Sequence, residues 1–218
     1  MLTRVLRKLF YAARLFKVGG PRVFWHQLKR QIYSRDTLFG LEKTWNADGA
    51  QVSSRLQYVL SKASEEDMAE VLSRAKTESK QAAHELVERK WFYDCGFHDC
   101  YVARTVDTGE PCCLAWLVSA EDNDVVTQGF GSRLPALKKD ELLLENCYTF
   151  EKYRGKNLMP AVVLDLWKMA GGHGFRRLIT YVRQDNTASL KVFEKLAFRE
   201  FEKIPELKFL FFTGRKHG

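Results

Sequence analysis

The first 35 residues of this 218-residue chain contain no aspartate and no glutamate. Met1 to Arg35 instead carries nine Lys or Arg: Arg4, Arg7, Lys8, Arg14, Lys17, Arg22, Lys29, Arg30 and Arg35. The formal charge is +8, yet beyond Arg35 the remaining 26 basic residues face 27 acidic ones. The body is close to neutral, which argues against a domain built around nucleic-acid phosphates. The basicity belongs to an arm with its own partner. Also absent is any apolar run near the ~20 residues that span a bilayer. The N-terminus lacks an uninterrupted apolar core followed by a small-residue cleavage site, so no secretory leader is expected. It shares arginine enrichment and the lack of acids with organellar transit peptides, but is poor in serine. No Cys-x-x-Cys pair occurs among Cys95, Cys100, Cys112, Cys113 and Cys147. Five cysteines without a secretion signal fit a reducing compartment, free thiols and a cytoplasmic location. Cys95, His98 and Cys100 are close in sequence, but the later cysteines sit in strand-like stretches, and no metal is expected.

The chain has 45% hydrophobic and 28% charged residues, enough for one globular domain with a full core. Leu2 to Lys17 has helical periodicity, with Leu2, Val5, Leu6, Leu9, Ala13 and Phe16 on one side and arginines on another. Gly19-Gly20-Pro21 breaks the pattern, and Phe24, Leu28 and Ile32 restart it. Residues 1–35 thus read as a basic amphipathic helical hairpin. Residues 36–55 show no clear period, contain the loop signal "WNADGA" and read as a linker. Residues 56–218 read as the main domain.

Within it, "RLQYVLSKAS" reads as a strand, and Ser64 with Asp67 opens a helix in the manner of a capping box. "EDMAEVLSRAK" and "ESKQAAHELVERKWFYDCG" are the two helices that follow. "CYVARTV" and "PCCLAWLVSA" form a hairpin turning at "DTGE", and "DELLLENCYTF" is a further strand. "NLMPAVVLDLWKMAGGHG" is a helix ending on glycines. "RRLITYVR" is a strand, "NTASLKVFEKLA" a helix, and "FREFEKI" and "LKFLFFT" finish the sheet. Helical crossovers make their flanking strands parallel, and hairpins make an antiparallel half. The expected class is a mixed α/β (α+β) sheet of six to seven strands, mostly antiparallel, with helices on both faces.

"FEKYRGKNLMPAVV" places Arg154-Gly155-Lys156-Asn157 between a strand and a helix. Pro160 fits only a first helical turn, so the loop presents backbone N–H groups at a helix start, an arrangement that favours an anion. Gly155 lets a phosphate approach the backbone, and Arg154 and Lys156 add charge. A basic turn facing water is the competing reading of these four residues alone.

"TFEKYRGKNLMPAVV" followed by "RRLITYVRQDNTASLKVFEKLAFRE" resembles the GNAT acetyltransferase superfamily, over about Tyr58 to Thr213. The first block matches the acyl-CoA loop pattern through Gly155, with Lys152 and Asn157 as departures. The second matches through Asn186, Ser189, Phe193 and Phe198, with Ala197 where glycine is usual. The resemblance implies a sheet splayed at its central strands. It implies acetyl-CoA as acyl donor, its pyrophosphate held by the amides of Arg154, Gly155, Lys156, Asn157 and Leu158. Backbone near Tyr148 and Thr149 would pair with the pantetheine arm, and Asn186 would bond the same arm. Asn186 equally suits a plain helix N-cap.

Acetyl transfer to an amine needs the neutral amine, and at pH 7 deprotonating an alkylamine of pKa ~10.4 costs on the order of 4–5 kcal/mol. Glu145 is the candidate base. It stands in the strand before the loop, a carboxylate inside "LLLENCYTF" is costly to bury, and related enzymes often place a carboxylate there. Alternation puts Glu145, Cys147 and Thr149 on one face and Asn146 on the other. The helix position at which many family members carry a proton-donating tyrosine is Phe193 here, and neither Tyr148 nor Tyr181 is assigned that role. Cys147 as an acylated nucleophile is the lesser alternative. Trp91, Phe92, Tyr93, His98 and Trp116 read as core or as an acceptor wall.

The expected activity is N-acetyl transfer from acetyl-CoA to a small-molecule or protein amine by direct attack. The alternative is a non-catalytic acyl-CoA-binding or interaction module of the same fold. Three readings stand for residues 1–35: packing on the protein's own body, peripheral contact with the anionic inner face of a membrane, or an acidic partner such as RNA.

Overall fold

The computed structural model describes residues 33–45, 52–130, 133–209 and 212–214. The helical hairpin expected within residues 1–35 lies outside the described residues, except that Tyr33 to Arg35 belong to a strand.

Eight strands form one sheet: β1 (Tyr33–Thr44), β2 (Tyr58–Lys62), β3 (Cys100–Thr105), β4 (Pro111–Val118), β5 (Glu141–Thr149), β6 (Arg177–Arg183), β7 (Arg199–Phe209) and β8 (Phe212–Gly214). Their order is β2-β3-β4-β5-β6-β1-β7-β8. Five helices are described: α1 (Glu65–Arg74), α2 (Lys80–Asp94), α3 (Asn123–Gly129), α4 (Leu158–Gly172) and α5 (Thr187–Lys195). The parallel pair is β5 with β6, the strands that the α4 crossover joins, and the other pairings are antiparallel. All eight residues of β4 are buried, as expected of a strand covered on both faces.

Sequence signals explain most boundaries. Ser64 and Asp67 form the capping box, with Asp67 N donating to Ser64 Oγ (3.2 Å) and Ser64 N to Asp67 Oδ2 (2.8 Å). Ser79 caps α2 by accepting from Ala82 N at 3.3 Å. Pro160 is the third residue of α4, where its missing N–H leaves no bond unmade.

Two expectations fail. The expected linker is not one: β1 runs through residues 36–44 and pairs with both β6 and β7, adding a strand to the mixed, mostly antiparallel sheet. Asp36, Glu42 and Lys43 hid it, and each of the three has a partner from elsewhere in the chain. Asp36 pairs with Arg183 at 3.1 Å, and Glu42 with Arg177 at 2.6 Å. Buried Lys43 donates to Leu196 O at 2.8 Å, closing the C-terminal end of α5. Gly40 marks a register shift against β7, where an added Cβ would meet Glu202 Cγ at 2.6 Å. The last two expected strands are instead one long strand and a short one, since β7 continues through Pro205.

β5 and β6 pair only from Glu141–Leu143 to Arg177–Ile179. An ion-pair staple sits at this start, where Arg177 bridges Glu42 of β1 and buried Glu141 of β5, both at 2.6 Å. Beyond it the two strands diverge, and the site lies in the opening.

Candidate functional site

The divergence opens a cleft of about 650 Å³. One wall is β5 from Leu144 to Cys147, the other β6 from Thr180 to Arg183, with Asn186, Ser189 and Phe193 at the α5 end. Arg89 and Glu88 of α2 close one side.

Asn146, at φ 51°, is in the left-handed region. Across it the β4 register jumps from Leu114 opposite Tyr148 to Trp116 opposite Glu145, so β5 holds one extra residue. This bulge overturns the expected alternation. Glu145 is in phase with Tyr148, not with Thr149, and Glu145, Asn146 and Cys147 all border the cleft. Arg89 braces the bulge: it donates to the carbonyls of Asn146 and Cys147, each at 3.0 Å, and to Glu85 O at 2.8 Å. Asn146 and Cys147 have no register partner on β4, so the guanidinium satisfies carbonyls that the irregular strand strands. Sequence reasoning missed Arg89, and nothing in its helical context marks it.

Cys147 borders the cleft as a neutral thiol. Burial first, and the Glu145 carboxylate second, push it up to about 12. A thiol raised in this way is a poor nucleophile at pH 7. Buried Tyr148 directs its hydroxyl toward Glu78 (3.5 Å) under the Arg89 guanidinium (4.6 Å from the ring). Its phenol is held above the ordinary value by burial and then by the Glu78 carboxylate. Tyr181 reaches the cleft, but its hydroxyl donates to Glu202 at 2.6 Å. Phe193 packs edge-on against Phe198 and brings no proton to the cleft.

Asn186 caps α5 by accepting from Ser189 N at 3.1 Å, so the N-cap reading holds, at a position that also borders the cleft. The anion loop lies outside the residues lining the cleft and is tied to it through α5: Lys195 Nζ donates to Asn157 Oδ1 at 3.1 Å. Gly155 takes φ +76° and Asn157 φ 57°, both left-handed. Asn157 is the N-cap residue of α4 but makes no side-chain cap bond. Among the described residues, no acceptor meets the N–H groups of Gly155, Lys156 or Asn157. A Cβ built on Gly155 would meet nothing within 4 Å. Arg154 donates Nε to Thr149 O at 3.1 Å. Tyr148 and Thr149 lie beyond the last β6 partner, so one edge of β5 is open beside them. Open N–H groups at a helix start, flanking cations and an unpaired strand edge fit a diphosphate ester carrying an amide-containing arm.

A smaller pocket of about 240 Å³ adjoins the cleft, lined by Glu88, Trp91, Phe92, Phe130, Arg133, Leu134, Glu145 and Asn146. Glu88, Glu145 and Asn146 border both cavities. Of the five aromatic candidates, Trp91 and Phe92 reach this pocket. Trp116 is fully buried and donates Nε1 to Phe97 O at 3.1 Å, and Tyr93 packs edge-on against His98.

A family model for the acetyltransferase (GNAT) family matches residues 65–198, well over half of the chain. The chain belongs to the GNAT acetyltransferase family. Solved structures share its fold. A Drosophila protein is 14% identical with a TM-score of 0.52, over 87% of this chain and 57% of that one. The GCN5-related glucosamine N-acetyltransferase region of a fungal multi-domain β-N-acetylglucosaminidase is 10% identical with a TM-score of 0.55, over 85% and 22%. A GNAT-family acetyltransferase from Colwellia psychrerythraea is 15% identical with a TM-score of 0.50, over 81% and 57%. The chain spans less than two thirds of these structures. No curated protein matches it. The described residues of this GNAT chain include no helix long and apolar enough to cross a membrane, and no group of three or more His, Cys, Asp or Glu placed to hold a metal.

Proposed function

We propose that this GNAT protein transfers an acetyl group from acetyl-CoA to a primary amine by direct attack, with Glu145 as the base. The observation that carries this reading is that Glu88, Glu145 and Asn146 border two cavities at once, one suited to the donor and one to the acceptor. Acetyl-CoA, when bound, supplies an acyl carbonyl open to attack and a sulfur leaving group. The open N–H groups of Gly155, Lys156 and Asn157, with that of Leu158, hold its diphosphate, and the Arg154 and Lys156 side chains add charge; the expected Arg154 N–H is instead donated to Glu151 O at 3.3 Å. Backbone at Tyr148 and Thr149 pairs with the pantetheine arm along the open edge of β5, and Asn186 approaches from α5. The Glu145 carboxylate takes the proton that the amine must lose before its lone pair can attack. Solvent supplies the proton to the departing sulfur, because Phe193 has none to give.

The test is thiol release from acetyl-CoA over a panel of amines, alongside thermal melting with and without acetyl-CoA. Release that falls at least a hundredfold in Glu145→Gln supports the reading. Stabilisation by acetyl-CoA without release for any amine would leave a binding module in its place.

A further inference from the structure

Glu145 stands where β5 falls out of register with β4. Trp116 faces Glu145 and Leu114 faces Tyr148, so Asn146 and Cys147 together stand against Ala115. The backbone of Asn146 decides what the irregularity does. At φ 51° its peptide turns back on the strand, and its N–H donates to Glu145 Oε2 at 3.3 Å. A main-chain donor on one carboxylate oxygen limits the rotation of that group. Asparagine enters the left-handed region more readily than a branched side chain does.

The two carbonyls of the bulge meet Arg89 of α2. Its Nε donates to Asn146 O and its Nη2 to Cys147 O, each at 3.0 Å. Its Nη1 donates to Glu85 O, one turn earlier in the same helix, at 2.8 Å. The Arg89 side chain is only 11% exposed, and its guanidinium lies 4.6 Å from the Tyr148 ring. A rigid planar fork on three main-chain acceptors admits few arrangements, so it sets the bulge against the helix.

We propose that Arg89 and Asn146 are positioning residues for Glu145. The Arg89 fork and the left-handed Asn146 peptide hold the Glu145 carboxylate at the junction of the two cavities that it borders. This deepens the acyl-transfer reading and rests on it. Neither residue carries a proton in the reaction; both act through the backbone of β5. Lysine at position 89 keeps the charge but offers a point donor, which cannot span both carbonyls as the fork does.

The full-length protein is assayed for thiol release from acetyl-CoA with whichever amine of the panel turns over fastest, and each variant is melted to show that it is folded. Arg89→Lys is expected to lower kcat at least tenfold, with the KM for acetyl-CoA changed less than threefold. Adding Arg89→Lys to Glu145→Gln is expected to lower kcat less than threefold further, because the residue being positioned is already lost. Asn146→Gly and Asn146→Val both remove the side-chain amide, and the glycine variant is expected to keep a kcat at least tenfold above the valine variant. This pair, each combined with Glu145→Gln in the same way, decides the matter if Arg89→Lys shows no cooperative melting. An unchanged kcat in Arg89→Lys, a rise in the KM for acetyl-CoA alone, or losses that multiply in the double variant overturn the positioning role and leave Glu145 as the base. An unchanged kcat in Glu145→Gln, or no release with any amine, overturns the reading beneath it as well.

Discussion

Gly155→Ala separates what the anion loop contributes to folding from what it contributes to binding. The residue sits at φ +76°, where a side chain costs roughly 1–2 kcal/mol of backbone strain. No steric term is added, since a Cβ would meet nothing within 4 Å. The substitution also restricts the unfolded chain, which returns about 0.4–1 kcal/mol. The net loss is therefore up to about 1.6 kcal/mol, a shift of at most roughly 6 °C in Tm for a chain of this size. On the proposed placement of the diphosphate, ligand binding has no such compensation, because a methyl group at Gly155 would crowd its approach to the open N–H groups. Two steady-state measurements read the difference: Tm without ligand, and the KM for acetyl-CoA with the amine saturating. The expected result is a small Tm change with a KM raised at least tenfold. An unchanged KM at that small Tm change refutes the placement of the diphosphate at Gly155. A Tm loss above 10 °C refutes the claim that the side-chain space there is empty.

Glu145→Gln is expected to lower kcat by about 10²–10⁴ with little change in the KM for acetyl-CoA, and to remove the acidic limb of the pH–rate profile. Cys147→Ala is expected to retain acetyl transfer, and iodoacetamide at pH 8 to leave Cys147 unmodified in the folded protein by mass spectrometry, because its thiol is pushed up to about 12. Arg177→Ala leaves the buried Glu141 carboxylate without its cation, at a cost of roughly 2–4 kcal/mol, discounted from the ~3–5 kcal/mol of a fully buried pair because water reaches Arg177. Burial alone would raise the Glu141 pKa, but the Lys138 N–H and the Arg177 guanidinium overcome it and hold it below the ordinary value. Its contribution is therefore present above the usual carboxylate pKa of ~4.3 and lost as pH falls through the lower folded value. Urea denaturation between pH 7 and pH 3 should show a shallower acid loss in Arg177→Ala than in the parent.

Much of this could be read directly. The Ser64 and Asp67 box, Pro160 in the first turn of α4 and the Gly171-Gly172 end of that helix act over a few residues, so local sequence states them. The left-handed turn at Gly155 belongs to the same class, since Gly155 and the start of α4 are adjacent in the chain. What stayed hidden depends on residues far apart. β1 reads as a linker because Asp36, Glu42 and Lys43 look solvated until Arg183, Arg177 and Leu196 O arrive from β6 and the end of α5. The bulge at Asn146 reverses the face of every residue after it, and a strict period of two cannot reveal an inserted residue.

By itself the sequence determined the alternation of strands and helices, the gathering of basic charge in the first 35 residues and the glycine at which the backbone turns left-handed. These depend on short-range propensity and charge. Only the tertiary structure decided that β5 and β6 part after three paired residues, that Arg89 braces the bulge, and that Glu145 stands between two cavities. Those features arise from side chains and strand edges meeting across large separations in the chain, where no local pattern records the partner.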